Sequence, residues 1–233
     1  MQRFNDNHAM ILTVAEALGP FRSKVVFVGG TVAGLLINAD VRSIVRPTDD
    51  VDVVIECASY GKYANILESL RALGFQHDIH GPLCRLIISN VTVDVMPTEE
   101  KILGFNNKWY PLLMEHSLTY QLSDDVEIKI ASAPLFICTK LDAFADRGKN
   151  DYFGSSDIED VIAIVSGRSQ LVLECKLAPI EVREYIGSTF DRLVNDDDFL
   201  DALPGLLPPV ILNREKIVLS KIRELAEVGR NIE

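Results

Sequence analysis

Three aspartates are the residues of this chain best placed to do chemistry. Asp50 and Asp52 stand two apart in the strand-like run DVDVVI. Alternate side chains of an extended strand leave on one face, so both carboxylates point one way while Val51, Val53 and Ile55 point the other. Like charges held that close repel, and a shared divalent cation or proton relieves them. Asp94 interrupts a second strand-like run, VTVDVM, sharing a face with Thr92 and Met96. An ionised carboxylate is costly to bury alone, so Asp94 needs a partner or a cleft. If its strand lies beside Asp50–Ile55, the three carboxylates meet. Upstream, Gly29-Gly30 closes the apolar run VVFV and lets backbone N–H groups and a helix N-terminus approach an anion. A phosphate cradle would then face a metal site. Metal-assisted nucleotidyl transfer requires such a set: two Mg²⁺ ions, or Mn²⁺ in their place, about 3.5–4 Å apart, with Asp50 and Asp52 as ligands and Asp94 as third ligand and general base.

The elements that must position these groups follow from periodicity. Met10, Ile11, Val14, Ala15 and Leu18 predict a helix over 5–18, ended by Gly19-Pro20. A strand over 25–28 and a short helix over 31–37 follow. A polar stretch to Pro47 then carries Arg42 and Arg46, equally readable as phosphate contacts or solvated loop charges. A helix is expected over 60–73, closed by Gly74. Strands over 83–88 and 91–96 turn at Ser89-Asn90, and a second hairpin covers 118–122 and 126–130. Beyond it the pattern turns helical. Ala133, Phe136, Ile137, Leu141 and Phe144 form a stripe, with Thr139, Asp142 and Asp146 opposite and Lys140 and Arg147 at its edge. Those two cations either point inward to an anion or snorkel to water. Ser156-Asp157-Ile158-Glu159 has the form of a capping box, with Asp157 and Asp160 one turn apart. Helices are expected over 179–190, 196–203 and 211–228, with breaks at Pro204-Gly205 and Pro208-Pro209. The predicted fold class is α/β (α+β): a mixed sheet with flanking helices over residues 1–130, then a helical domain over 131–233, the site lying in the cleft between them.

Composition narrows the partners. A net charge of −11 argues against non-specific grip on a nucleic-acid backbone, while leaving room for a local basic patch. No run approaches the roughly 18 apolar residues of a membrane helix, so no membrane partner is expected. The first ten residues lack a secretory pattern, which makes the cytoplasm the expected compartment. Cys57, Cys84, Cys138 and Cys175 are scattered singly, which favours reduced core thiols over a zinc site. His77 and His80 flank Asp78-Ile79 near a glycine-proline turn and read as surface residues, and Trp109 and Tyr110 as packing aromatics.

Val28-Gly29-Gly30-Thr31, followed by Asp50-Val51-Asp52 and by Asp94 in a later strand, resembles the nucleotidyltransferase superfamily that includes DNA polymerase beta, the antibiotic-modifying nucleotidyltransferases and the CCA-adding enzymes. TKLDAFADRGKNDYFGSSDIEDV is similar to the second half of the AbiEii-type toxins. The resemblance spans about residues 20–165. It implies NTP as substrate, RNA (such as a tRNA end) or protein as hydroxyl acceptor, pyrophosphate as product, and an antitoxin protein as partner. It gives phosphate binding to Gly29, Gly30 and Thr31, beside the loop candidate Arg46, with the Thr31 hydroxyl where the family more often has serine. It also places Lys140, Arg147, Asp157 and Asp160 around the nucleotide, Lys140 neutralising charge that develops on phosphate. A small-molecule acceptor of the aminoglycoside kind and an inactive nucleotide-binding module remain alternatives. A dinucleotide fingerprint in VVFVGGTVAG with Glu56 as ribose acid misses the G-x-G-x-x-G spacing and gives the aspartates no task.

Overall fold

The computed structural model describes residues 2–38, 45–148, 150–207 and 214–230. Arg42, Pro208-Pro209 and residues 211–213 of the last expected helix lie outside the described residues. The chain forms two compact units, Met1–Gly34 with Arg46–Ser132 and Leu35–Val45 with Ala133–Glu233. The first carries a mixed seven-stranded sheet and the second is helical, which is the expected α/β class with a helical C-terminal region.

In the first unit, α1 (Gln2–Leu18) buries Ile11, Val14, Ala15 and Leu18 on one helical face, packed on the sheet. Each large apolar side chain so buried contributes roughly 1.5–3 kcal/mol. A 3₁₀ turn over Gly19–Lys24 leads into β1 (Val25–Val28), which is buried throughout. The next helix, α2 (Gly29–Leu36), starts at the first glycine rather than at Thr31 and runs from the first unit's residues into the second's. The strand order is β3 (Gln76–His77), β4 (Arg85–Ile88), β5 (Val91–Pro97), β2 (Asp50–Ile55), β1, β7 (Val126–Ile130) and β6 (Leu118–Ser123), so β2 is the middle strand. It pairs antiparallel with β1 and parallel with β5 (Val91–Pro97). The crossover between those parallel strands is α3 (Tyr60–Ala72), β3 (Gln76–His77) and β4 (Arg85–Ile88). The Tyr63 hydroxyl, donating to the Val95 carbonyl at 2.7 Å, fixes α3 to the sheet. Two short helices, α4 (Glu100–Leu103) and α5 (Tyr110–Glu115), precede the hairpin β6 (Leu118–Ser123) and β7 (Val126–Ile130).

The expected strand over 83–88 begins only at Arg85, because Leu83 and Cys84 belong to a turn closed by the Arg85 N–H on the Pro82 carbonyl at 2.9 Å. β3, α4 and α5 are too short to show a hydrophobic period.

In the second unit, α6 (Ala133–Arg147) is buried continuously from Ala133 to Leu141, wider than the expected stripe. Thr139, assigned to the opposite face, is buried and its hydroxyl donates to the Phe136 carbonyl at 2.7 Å. α7 (Ser156–Gly167) is capped one residue earlier than the capping-box reading, with Ser155 Oγ accepting from the Ile158 N–H. The remaining helices are α8 (Leu171–Leu177), α9 (Ile180–Val194), α10 (Asp197–Leu206) and α11 (Arg214–Ala226). Pro204 lies inside α10 instead of ending it. Near the C-terminal turn a proline removes one backbone hydrogen bond, and the burial of Phe199, Ala202 and Leu203 outweighs that loss. Among the described residues, no helix is long and apolar enough to cross a membrane.

Candidate metal centre

Strand register assembles the acidic residues. Asp52 stands opposite Asp94 across the parallel β2–β5 pair, and opposite Val28, the residue before Gly29, across β1–β2. Asp50 lies two residues along on the same face, opposite Thr92. One carboxylate oxygen from each of Asp50, Asp52 and Asp94 can be chosen so that all lie within 4.8 Å of one another. Asp94 is buried, while Asp50 and Asp52 are half-buried. At about 5 Å and an effective dielectric near 20, each carboxylate pair repels by roughly 3 kcal/mol.

Part of that repulsion is relieved from within. Arg85 of β4 stands opposite Asp94 across the antiparallel β4–β5 pair, so one row of the sheet runs Arg85, Asp94, Asp52, Val28. Its Nε donates to Asp94 Oδ1 at 2.8 Å and its Nη2 to Oδ2 at 2.7 Å. Nη2 also lies 3.8 Å from Asp50 Oδ2. These contacts, Asp94's hydrogen bonds above all, raise the guanidinium pKa beyond its ordinary value, so Arg85 is a permanent cation. Asp94 is therefore not the isolated carboxylate its strand suggested.

Sequence reading missed Arg85, although a signal was present. Ser89 and Asn90 both have positive φ (49° and 64°), as the central residues of a type I′ hairpin turn do. A two-residue turn there pairs Ile88 with Val91, and counting back pairs Arg85 with Asp94.

The glycine pair is shaped by close approach. Gly29 has φ +72°, and a Cβ built on it would fall 1.9 Å from Asp52 Oδ2. A Cβ on Gly30 would meet Thr48 Cγ2 at 2.6 Å and Arg46 Nη2 at 2.7 Å. The start of α2 is thus flanked by a carboxylate and a guanidinium. Thr31 is buried, and its hydroxyl is directed at the Val28 carbonyl, 3.5 Å away. A second residue that sequence reading missed is the buried Asn7 of α1. Its Nδ2 donates to the Arg46 carbonyl at 3.1 Å and its Oδ1 accepts from the Thr48 N–H at 3.3 Å, fixing the approach to β2.

The donor set suits a hard divalent cation. Its atoms are carboxylate oxygens, the ligands Mg²⁺, Mn²⁺ and Ca²⁺ prefer. The nearby Cys84 thiol is pushed up to about 11, by burial first and then by Asp94, and so stays protonated. The three aspartates are the one such cluster found among the described residues.

Lys140, Arg147, Asp157 and Asp160 also come together, but on one another. Lys140 Nζ lies 3.1 Å from Asp157 Oδ1 and 2.7 Å from Asp160 Oδ2. Arg147 closes a fork on Asp157, Nε to Oδ2 and Nη2 to Oδ1, each at 3.0 Å. The two acids and Lys140 are buried, whereas the Arg147 side chain is 68% exposed. Two cations meet two anions, joining α6 to the first turns of α7.

No family model matches this chain, and no curated protein matches it.

Proposed function

We propose that the protein is a metal-dependent nucleotidyltransferase that moves a nucleotide from an NTP to a hydroxyl acceptor, RNA or protein, and releases pyrophosphate. The observation that carries this reading is the convergence of Asp50, Asp52 and Asp94 by strand register, with Gly29 shaped to admit Asp52 at the start of α2. In this reading Asp50, Asp52 and Asp94 hold Mg²⁺ or Mn²⁺, which when bound neutralises phosphate charge and lowers the pKa of the acceptor hydroxyl. Backbone N–H groups at the head of α2 and the Arg46 guanidinium bind the phosphates. The acceptor oxygen forms its bond to the α-phosphorus as the bond to pyrophosphate breaks, and its proton passes to an Asp94 carboxylate oxygen. Lys140, Arg147, Asp157 and Asp160 keep α6 and α7 in register in this scheme. The similarity of 139–161 to the AbiEii-type toxins makes an RNA acceptor and an antitoxin partner part of the proposal.

One observation favours a second reading. Both oxygens of Asp94 already accept from Arg85, as they would in a nucleotide-binding module without turnover.

The test is to incubate the protein with Mg²⁺, each α-labelled NTP and total cellular RNA or protein. Wild type should transfer label to one fraction, and Asp52→Asn, folded as judged by its melt, should do so roughly 10³-fold more slowly. Equal transfer by Asp52→Asn overturns the metal assignment. Nucleotide binding without transfer to any acceptor selects the second reading.

A further inference from the structure

Arg85 is tied to Asp94, a group that the proposed chemistry needs, and any role assigned to the arginine rests on the transferase reading. We infer that Arg85 is a positioning residue that aims Asp94 and at the same time competes with the divalent cation for it, so that cation binding at Asp94 is restrained until an anionic ligand draws the guanidinium away.

Geometry supports the competition. A carboxylate offers about four lone-pair positions, and the fork from Nε and Nη2 takes one on each oxygen of Asp94. With Nη2 2.7 Å from Asp94 Oδ2 and 3.8 Å from Asp50 Oδ2, the guanidinium lies against two of the three carboxylates that a cation would share. The guanidinium cancels one of the three negative charges that a divalent cation would otherwise meet in full.

The pairing is built into the fold. The hairpin turn fixes Arg85 opposite Asp94, and Gly81 makes room for the arginine stem, since a Cβ there would come within 2.8 Å of Arg85 Cδ. Release is also within reach. The Arg85 side chain is 31% exposed, against 10% for Lys140 in the closed network of the other unit. A polyphosphate offers the fork a new set of oxygens of higher charge. Until it arrives, Arg85 keeps Asp94 correctly turned.

The experiment is a Mn²⁺ titration without nucleotide, following free Mn²⁺ by electron paramagnetic resonance. The proteins are wild type, Arg85→Ala, Arg85→Lys, Asp52→Asn and the double variant Arg85→Ala/Asp94→Asn. Removing a positive charge beside the site should tighten Mn²⁺ binding by Arg85→Ala about tenfold or more, with Arg85→Lys intermediate because an ammonium cannot fork. The double variant should lose the gain. A purely structural arginine would give unchanged or weaker binding. Should Arg85→Ala fail to fold, Arg85→Lys against wild type decides the matter alone. Equal or weaker Mn²⁺ affinity in the Arg85 variants, with binding still lost in Asp52→Asn, overturns the role of Arg85 and leaves the transferase reading standing. No Mn²⁺ binding by any of these proteins, with or without NTP, overturns both.

Discussion

Two clusters of acids and bases among the described residues are balanced differently. On the sheet, Asp50 and Asp94, which share the triad with Asp52, face the guanidinium of Arg85, and two of the three acids are half-exposed. In the helical unit, Lys140 and Arg147 face Asp157 and Asp160, and the central three groups are buried. Both stand out in the sequence as acids and bases at suggestive spacing. What separates them is closure. A buried network whose charges cancel has satisfied its own ions and has little left for a ligand, whereas a partly wet cluster with excess negative charge keeps a demand for cations.

The largest effect expected is in the closed cluster. Lys140→Ala leaves two buried carboxylates facing each other and should cost about 3–5 kcal/mol in a urea melt, with Mn²⁺ binding per folded molecule unchanged. If stability instead holds while NTP binding falls more than roughly tenfold, the comparison breaks and Lys140 takes the phosphate-neutralising role its sequence context implied. Next comes Gly29→Ala. Left-handed backbone costs a non-glycine residue about 1–2 kcal/mol, and the new Cβ must push the Asp52 carboxylate aside. A melt should show that modest loss, and a Mn²⁺ titration should show weakened binding; unchanged affinity would separate the glycine from the metal site. Smallest is Asp50→Asn, which removes one of the mutually repelling charges. It should leave the cation-free protein as stable as wild type, or more stable by up to about 1 kcal/mol, while weakening Mn²⁺ binding. A clear loss of stability would mean that Asp50 is locked into structure as Asp157 is.

How much of the fold and the site was legible depended on the range of the interaction. The parity of DVDVVI alone places Asp50 and Asp52 on one face, and the β-pattern of VTVDVM supplies the third carboxylate. That β5 lies parallel to β2 with Asp52 opposite Asp94 is a matter of register across an intervening helix and two strands, which no local pattern encodes. Arg85 was one count away, through the turn at Ser89-Asn90. The burial of Lys140 could not be read from α6, because what covers it comes from another helix and from acids 17 and 20 positions further on. Asn7 gave no signal, since a single polar residue in an amphipathic helix looks the same whether it meets water or a backbone carbonyl.

The hairpin between β4 and β5 turns on only two residues, both held left-handed. Because side chains alternate along a strand, that economy makes the loop a switch of facing as well as of direction. One inserted residue that slid β4 by a single position would carry the guanidinium to the reverse side of the sheet and leave Asp94 beside an apolar or thiol neighbour. The length of one very short loop thus decides whether the buried acid of the sheet has a counter-ion at all.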